Sequence, residues 1–483
     1  MEDAVATLLS FPPDNVASLS PKEYDKAMNT FLKNIDKLPN SAYTKSVDKQ
    51  NVLELLNPAV NSIPFLLSLV EQVKATKDKA QQELLLNQAL IYLAIFDPVQ
   101  VRYVGEQWVL LLSWVLDCLL KTGVIDLSPV SNAMLRLDPS VGTFTTNHLH
   151  FLRRCVDAGA PSQALPILDK NIYAFPTAPP KNVPEELPSE VHELSNGFIT
   201  SKSGFTSKVH PEYILEYYLL GAHVYIGLRN YTRARLFLEY VILTPSLQHA
   251  SSALQVEAYK KWLLLGLLAE GKTYPIPRTN DAAVMKSIKS IAKPYEVLAD
   301  TFEKRDWRKY QAEMEVGTQI WHEDGNLRLV KEAGDALFRY RVIDLQKTYA
   351  ALPVSRVSSH LGFSADATLQ MLTDMIRQGY LNASVTPGAS SGDAVLRFHN
   401  TDAGTSSTSA QDDDLEAQTK RIEDLVTFVR DADRRLQLTK EYVEYAKRAK
   451  RAGPDNDLAD QMDLTWDAPV IGLDDGDEDI MAA

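Results

Sequence analysis

The chain has 483 residues, 45% of them apolar and 23% charged, the make-up of a folded protein of roughly three domain-sized units or one continuous solenoid. Its net charge of −13 is uneven. From Pro454 onward there are nine Asp and one Glu with no Lys or Arg, so the tail carries −10 and the body only −3, too little for a global pull on nucleic acid or anionic membranes.

The first ten residues hold two acids and no basic cluster, which argues against a secretory leader. Ser20-Pro21-Lys22-Glu23 reads as a capping box with proline at the first helical position, opening an amphipathic helix through Leu38. Apolar residues at helical spacing recur over 63–73, 83–96, 106–120 and 145–158, and none of these runs alternates as a strand would. The longest apolar run, 109–120, is about a dozen residues with Asp117 inside it; a membrane span needs about twenty, so it predicts a buried helix. Cys118 and Cys155 fall in apolar helical text and form neither a disulfide framework nor a metal-ligand spacing. Free thiols there are small hydrophobes, which suits a reducing compartment.

Five prolines within 176–188 and Ser/Gly-rich text to Lys208 break the helical pattern, predicting an irregular surface connection or an extended linker. Helical pairs resume after Pro211. In 218–245, Tyr218, Gly221, Ala222 and Tyr225 line one helix, Asn230 and Tyr231 fall in the turn, Ala234, Leu238 and Val241 line the next, and Pro245 stops it. Small residues at the crossing with large ones at the ends predict a tetratricopeptide-like hairpin. The match is loose: Tyr218 stands for the usual Trp, Ala222 for Gly, and the proline comes one residue early. Such a unit implies a stack, and a stack presents surfaces.

From Ile343 two short helical runs, 343–351 and 355–361, precede Ser364, an N-cap for a helix over 365–378 with Gly379 as its left-handed cap. Two alternating segments, 380–385 and 394–399, flank a Gly/Ser/Pro loop. Three helices and a hairpin make a winged helix. A Ser/Thr/Asp-rich linker follows. Then Leu415, Ile422, Val429, Leu436 and Val443 recur every seven residues, with Gln418, Leu425, Ala432, Thr439 and Ala446 interleaved, on one long helix that needs partner helices. The acidic tail, with Leu464-Thr465-Trp466 as its one sticky spot, has the composition of a disordered segment.

Three stretches imitate chemistry. Gly266-Leu-Leu-Ala-Glu-Gly271-Lys272-Thr273 matches a Walker A pattern, yet Tyr259, Trp262, Leu263, Gly266 and Leu267 carry one helix face straight into it and Tyr274-Pro-Ile-Pro277 cannot open a helix. It reads as a helix C-terminus. His148-Leu-His150 lacks the downstream Ser and Asp of a zinc isopeptidase, and residues two apart point to different helix faces. The winged helix has six Lys/Arg and four Asp/Glu over 338–400, and its third helix sets Asp366 and Asp374 against one Arg377. That disfavours phosphate contact and favours protein contact. No catalytic constellation and no cofactor or metal site stands out, so an enzyme is not expected.

Ile376-Arg-Gln-Gly379-Tyr-Leu-Asn-Ala-Ser-Val385 with Val395-Leu-Arg-Phe398, placed after helical repeats and before a long C-terminal helix, resembles the PCI family. Its members are scaffold subunits of the COP-nine signalosome, the proteasome lid and translation initiation factor three. Tyr217-Tyr218 to Pro245, Glu257-Ala-Tyr-Lys-Lys261 leading to Gly271-Lys272, and Ile291-Ala-Lys-Pro294-Tyr295 are similar to the signalosome members in particular. The resemblance implies a mainly α fold, with a helical-repeat solenoid, a winged-helix (PCI) subdomain and a long C-terminal helix. Residues 1–170 would be N-terminal repeats, 171–210 the connection, 211–340 the TPR-like repeats, 341–400 the winged helix, 401–414 a linker, 415–450 the bundle helix and 453–483 the tail. It implies a non-catalytic role, in cytoplasm and nucleus, within the complex that removes a ubiquitin-like modifier from cullins. Partners would be other PCI and MPN subunits, met through Leu415, Ile422, Leu425, Val429, Leu436 and Val443 on the helix and Val395 and Arg397 on the wing, by pairing the 394–399 edge or packing beside it. No small-molecule substrate or membrane is implied. The alternatives are a lid or initiation-factor subunit and, from another class, a nucleic-acid adaptor. The proline-rich insert and the acidic tail depart from the family pattern.

Overall fold

A computed structural model describes residues 2–13, 18–44, 51–76, 78–123, 125–178, 187–192, 194–245, 250–388, 394–399 and 408–451 apart from 438. The acidic tail and Trp466 lie outside the described residues, as does most of the linker. The chain divides into two compact units: Met1–Ala178 with Glu186–Leu415, and Glu416–Ala483 with Pro179–Glu185.

The first unit begins with the predicted helices. Ser20 opens Pro21–Ile35, its backbone N–H donating to the Glu23 carboxylate at 3.0 Å. Ser62–Ala75, Lys79–Ile95, Gly105–Thr122 and Thr146–Asp157 follow the four periodic runs, with Ser128–Leu137 as a further helix. An aromatic chain ties them together. Phe65 stacks on Tyr92, Tyr92 on Phe96, and Phe96 meets Trp108 edge-on. Burying side chains of this size contributes about 1.5–3 kcal/mol each, so this chain is the main mechanical link of the N-terminal array. Among the described residues no helix is long and apolar enough to cross a membrane.

The described part of the 171–210 connection is an irregular segment fastened to that array. Arg102 reaches into it, donating to the carbonyls of Pro188 and Glu190 and lying over the Phe198 ring. Phe205 is buried edge-on against Trp108, and Phe198 and Ile199 are buried beside it. Gly105 permits the closest approach: a Cβ there would stand 2.4 Å from the Ser203 carbonyl oxygen.

The second array runs Pro211–Gly227, Tyr231–Leu243, Ala253–Ala269, Ala282–Ile291, Lys293–Glu303, Trp307–Val316, Thr318–Glu323 and Leu327–Gln346. The hairpin expected at 218–245 is present. Tyr218, Ala222, Tyr225, Ala234, Leu238 and Val241 are all buried in it, with Phe237 edge-on to Tyr218 and Tyr225. Ala253–Ala269 is apolar almost all round and packs on five other helices, which makes it the axis of the array.

One turn recurs in this array. Arg229, Arg305 and Gly325 each take a left-handed φ (63°, 58° and 66°), and each is followed by Asn230, Asp306 or Asn326. The N–H after the left-handed residue returns to the carbonyl five residues earlier, as Asn230 to Tyr225 and Asn326 to Trp321, closing the preceding helix. Asn230 and Asp306 then cap the next helix through Arg233 and Lys309 N–H. Asn326 does not cap. Its side chain is used elsewhere.

The winged helix differs from expectation at its start. Leu327–Gln346 runs on through Ile343, and the second half of the expected 343–351 helix is instead a turn over 347–350 that leads into strand β1 (Ala351–Pro353). Val354–Leu361 and Ala365–Arg377 follow, Ser364 Oγ accepting from Ala367 N–H and Gly379 adopting φ 76° as foreseen. Strands β2 (Ala383–Thr386) and β3 (Val395–Phe398) complete an antiparallel sheet in the order β1-β3-β2. Leu352, Leu396, Ala383 and Phe398 face a separate core with Val354, Val357, Leu361, Leu372 and Met375.

In the terminal region the continuous helix expected over 415–450 is divided. Thr408–Gln437 begins inside the expected linker, and Lys440–Arg451 starts anew where Thr439 Oγ1 accepts from Tyr442 N–H. A helix start at Thr439 satisfies donors that an unbroken helix would have bonded internally.

Candidate interaction surfaces

The seam residues of the terminal helices are turned to solvent. Leu415 is 64% exposed, Ile422 61%, Leu425 49%, Val429 53%, Leu436 53% and Val443 37%. Val426 and Tyr442 extend the same exposed apolar strip. Single exposed leucines are unremarkable, but a row at heptad spacing is an unburied helix interface.

Val395 and Arg397 were expected on an open sheet edge. They lie on β3, the central strand, where Arg397 faces Ala351 on one side and Ser384 on the other. Strand β1 was invisible in the sequence because its three residues end in a proline and have no alternating run. Of the two expected modes, pairing through 394–399 is therefore corrected, because both sides of β3 are already filled; packing beside the wing does not depend on a free edge there. The Arg397 side chain itself is exposed. On the third helix of the winged helix, the one cation, Arg377, is paired with Asp374 at 2.6 Å, so an acid stands beside it.

A groove of about 820 Å³ opens between the repeat turn at Arg229–Tyr231, the end of Ala253–Ala269, the long helix Leu327–Gln346 and Tyr380 of the winged helix. The sequence gave no warning of it, since it draws on four separated segments. Arg229 holds Glu332 with two parallel hydrogen bonds, one of 2.8 Å, and Arg339 stacks over the Tyr380 ring at 4.5 Å. The walls are thus mixed in charge.

A neighbouring cleft of about 520 Å³ is floored by a polar cluster. Lys260 Nζ meets Asp324 at 2.7 and 2.8 Å, and Tyr295 Oη donates to the same carboxylate at 2.8 Å. Lys261, buried, donates to Asn326 Oδ1 at 2.8 Å and lies 3.2 Å from Glu257. His223 stands 3.5 Å from Glu257. The Glu257 carboxyl is pulled down to about 2, first by His223 and then by Lys261, against the opposing effect of burial. Every polar residue of Glu257-Ala-Tyr-Lys-Lys261 has a partner here, Tyr259 reaching Glu296. This explains that stretch as a brace between helices.

The imitations of chemistry resolve as structure. Ala253–Ala269 carries the Walker-like text, Gly266 is helical, and Gly271 turns the chain at φ 72° beneath the Tyr340 ring, 2.5 Å from where a Cβ would sit. No strand precedes it and no helix opens after it. His148 is buried, with Nδ1 accepting from Thr145 N–H at 3.0 Å as part of a capping box, while His150 is half-buried on another face. Burial pushes His148 down to about 4 and the Cys155 thiol up to about 12. Among the described residues no three His, Cys, Asp or Glu gather to hold a metal.

Residues 22–284 match the family model described as COP9 signalosome complex subunit 3, N-terminal helical repeats. Among curated proteins, the chain is 31% identical over 373 residues to COP9 signalosome complex subunit 3 of Emericella nidulans, covering 74% of each chain. It is 24% identical to the Neurospora crassa protein of that name, covering 92% of this chain and 91% of that one. A third relative of the same name, from Dictyostelium discoideum, is 23% identical over 437 residues.

Proposed function

The chain belongs to the family of COP9 signalosome complex subunit 3 proteins, and from that membership we propose that it acts as a non-catalytic scaffold of such a complex. The modifier removed from cullins would be cleaved on another subunit. The observation that carries the reading is the exposed apolar seam from Leu415 to Val443. Leaving six large hydrophobes in water forgoes about 1.5–3 kcal/mol apiece, a cost that burial among partner helices recovers. The two arrays would form an arm, and the winged helix would face other PCI subunits, with MPN subunits reached through the helical bundle. Cytoplasm and nucleus are the expected compartments.

Native mass spectrometry of the complex purified through this chain tests the reading. A signalosome-sized assembly containing other PCI and MPN subunits is the expected result. Recovery of a proteasome lid, an initiation factor or a free chain would overturn it.

A further inference from the structure

Beside the connecting segment lies a small, partly open cavity of about 30 Å³, lined by Trp108, Asp138, Val141, His148, Ile199 and Phe205 among others. Two of its walls carry polar atoms with no hydrogen-bond partner, Trp108 Nε1 and His148 Nε2. Both residues are more than nine-tenths buried, Trp108 1% and His148 4% exposed. Leaving one such donor unsatisfied is costly, and two beside one void are a feature to be explained.

The tautomer follows from the other side of the ring. His148 Nδ1 lies 3.0 Å from Thr145 N–H and 2.8 Å from Thr145 Oγ1, two groups able to donate to it, against one carbonyl at 3.2 Å, so the contacts favour the ring proton on Nε2, a donor like the indole N–H. The cavity therefore presents two donors. Asp138 supplies an acceptor: its Oδ1 takes Ser140 N–H at 3.0 Å and Ser140 Oγ at 2.6 Å, and its Oδ2 has no such bond among the described residues. A bound water needs about 10–15 Å³ and two to four polar partners, and both conditions are met. A halide would meet the Asp138 carboxylate, and a cation would meet two N–H groups. Only a group that both accepts and donates suits all three.

We propose that this cavity is a structural water site, in which one buried water accepts from Trp108 Nε1–H and His148 Nε2–H and donates to Asp138. The water joins Gly105–Thr122 to Thr146–Asp157. The connecting segment contributes Ile199 and Phe205 to one side of the site.

The test uses the intact chain. A crystal structure that resolves ordered solvent should show one peak within hydrogen-bond reach of both nitrogens. Labelled-tryptophan NMR, with the Trp108 signal identified by its loss in Trp108→Phe, should show cross-relaxation between its indole proton and a long-lived water. His148→Phe should abolish that cross-relaxation. Should this variant fail to fold, the wild-type measurements decide alone. A cavity without density, a ring turned so that Nε2 faces Thr145, or an indole proton with no water contact would overturn the assignment.

Discussion

Lys261 Nζ lies 2.8 Å from Asn326 Oδ1 across two helices of the second array, and this bond takes the side chain that would otherwise cap Leu327–Gln346. The two homologous turns keep their caps, through Asn230 and Asp306. The array gives up a cap worth about 1 kcal/mol here to give a second partner to a buried ammonium that also lies 3.2 Å from Glu257; a hydrogen bond to a charged group contributes about 1.5–3 kcal/mol. Asn326→Ala should therefore destabilise the chain by about 2–4 kcal/mol, more than loss of a cap alone. Thermal denaturation would read this as a fall in Tm of several degrees, and Asn230→Ala should show the smaller effect.

His148 predicts a pH dependence. Burial holds its folded value near 4 against an ordinary 6.5, so below 6.5 the unfolded chain takes the proton first. Stability should fall as pH drops from 6.5 to 4, by on the order of 3 kcal/mol, and this contribution should flatten below 4. His148→Gln keeps a capping-box acceptor but cannot titrate. Denaturant curves of the two proteins should converge in slope above pH 6.5 and separate below it. Glu257 acts in a lower window: its stabilisation is full above the ordinary 4.5 and is lost as pH falls toward 2.

Gly271 and Lys272 should behave oppositely. Gly271→Ala places a Cβ against the Tyr340 ring at a left-handed φ, and should cost about 2 kcal/mol or more in unfolding experiments. Lys272→Ala should change neither stability nor complex incorporation by more than about 0.5 kcal/mol. Any ATP hydrolysis that Lys272→Ala removes would contradict the structural reading of this turn.

Gly105→Ala should loosen the connecting segment. With the Ser203 carbonyl 2.4 Å from the new methyl, the segment must lift from Trp108. Limited proteolysis is expected to cut within 187–208 severalfold faster than in wild type.

Val429→Asp should release the chain from its complex while its Tm stays within a degree or two, because Val429 is already 53% exposed in the isolated chain. A buried unpaired carboxylate in a helical bundle costs several kcal/mol, enough to weaken assembly more than about a hundredfold. Co-purification at wild-type levels would remove the bundle role from this helix.

The helices were legible because their apolar faces repeat at 3.6 residues, and Gly379 was legible because glycine marks a left-handed cap. Arg229 and Arg305 were not: arginine seldom adopts positive φ, so only the closing hydrogen bonds and the following Asn or Asp reveal the shared turn. Strand β1 escaped because it borrows its pattern from partner strands rather than its own sequence. The groove beside Tyr380 escaped because no local period records contacts between segments more than a hundred residues apart. The heptad row of the terminal helix could be read, but not its interruption at Thr439.

The strand order gives the winged-helix sheet a direction. Leu352 lies between the bonds from Phe398 N–H to Ala350 O and from Val354 N–H to Ala394 O, so it faces β3 and leaves Ala351 and Pro353 pointing outward. Pro353 has no N–H to offer. On the far side, the bond from His399 N–H to Asn382 O sets Ala383 and Val385 outward, each with an N–H and a carbonyl. One flank can accept a full additional strand and the other cannot, so two such sheets can join by full strand addition only through their β2 edges. A single proline thus restricts strand addition to a closed pair and rules out an open succession of sheets.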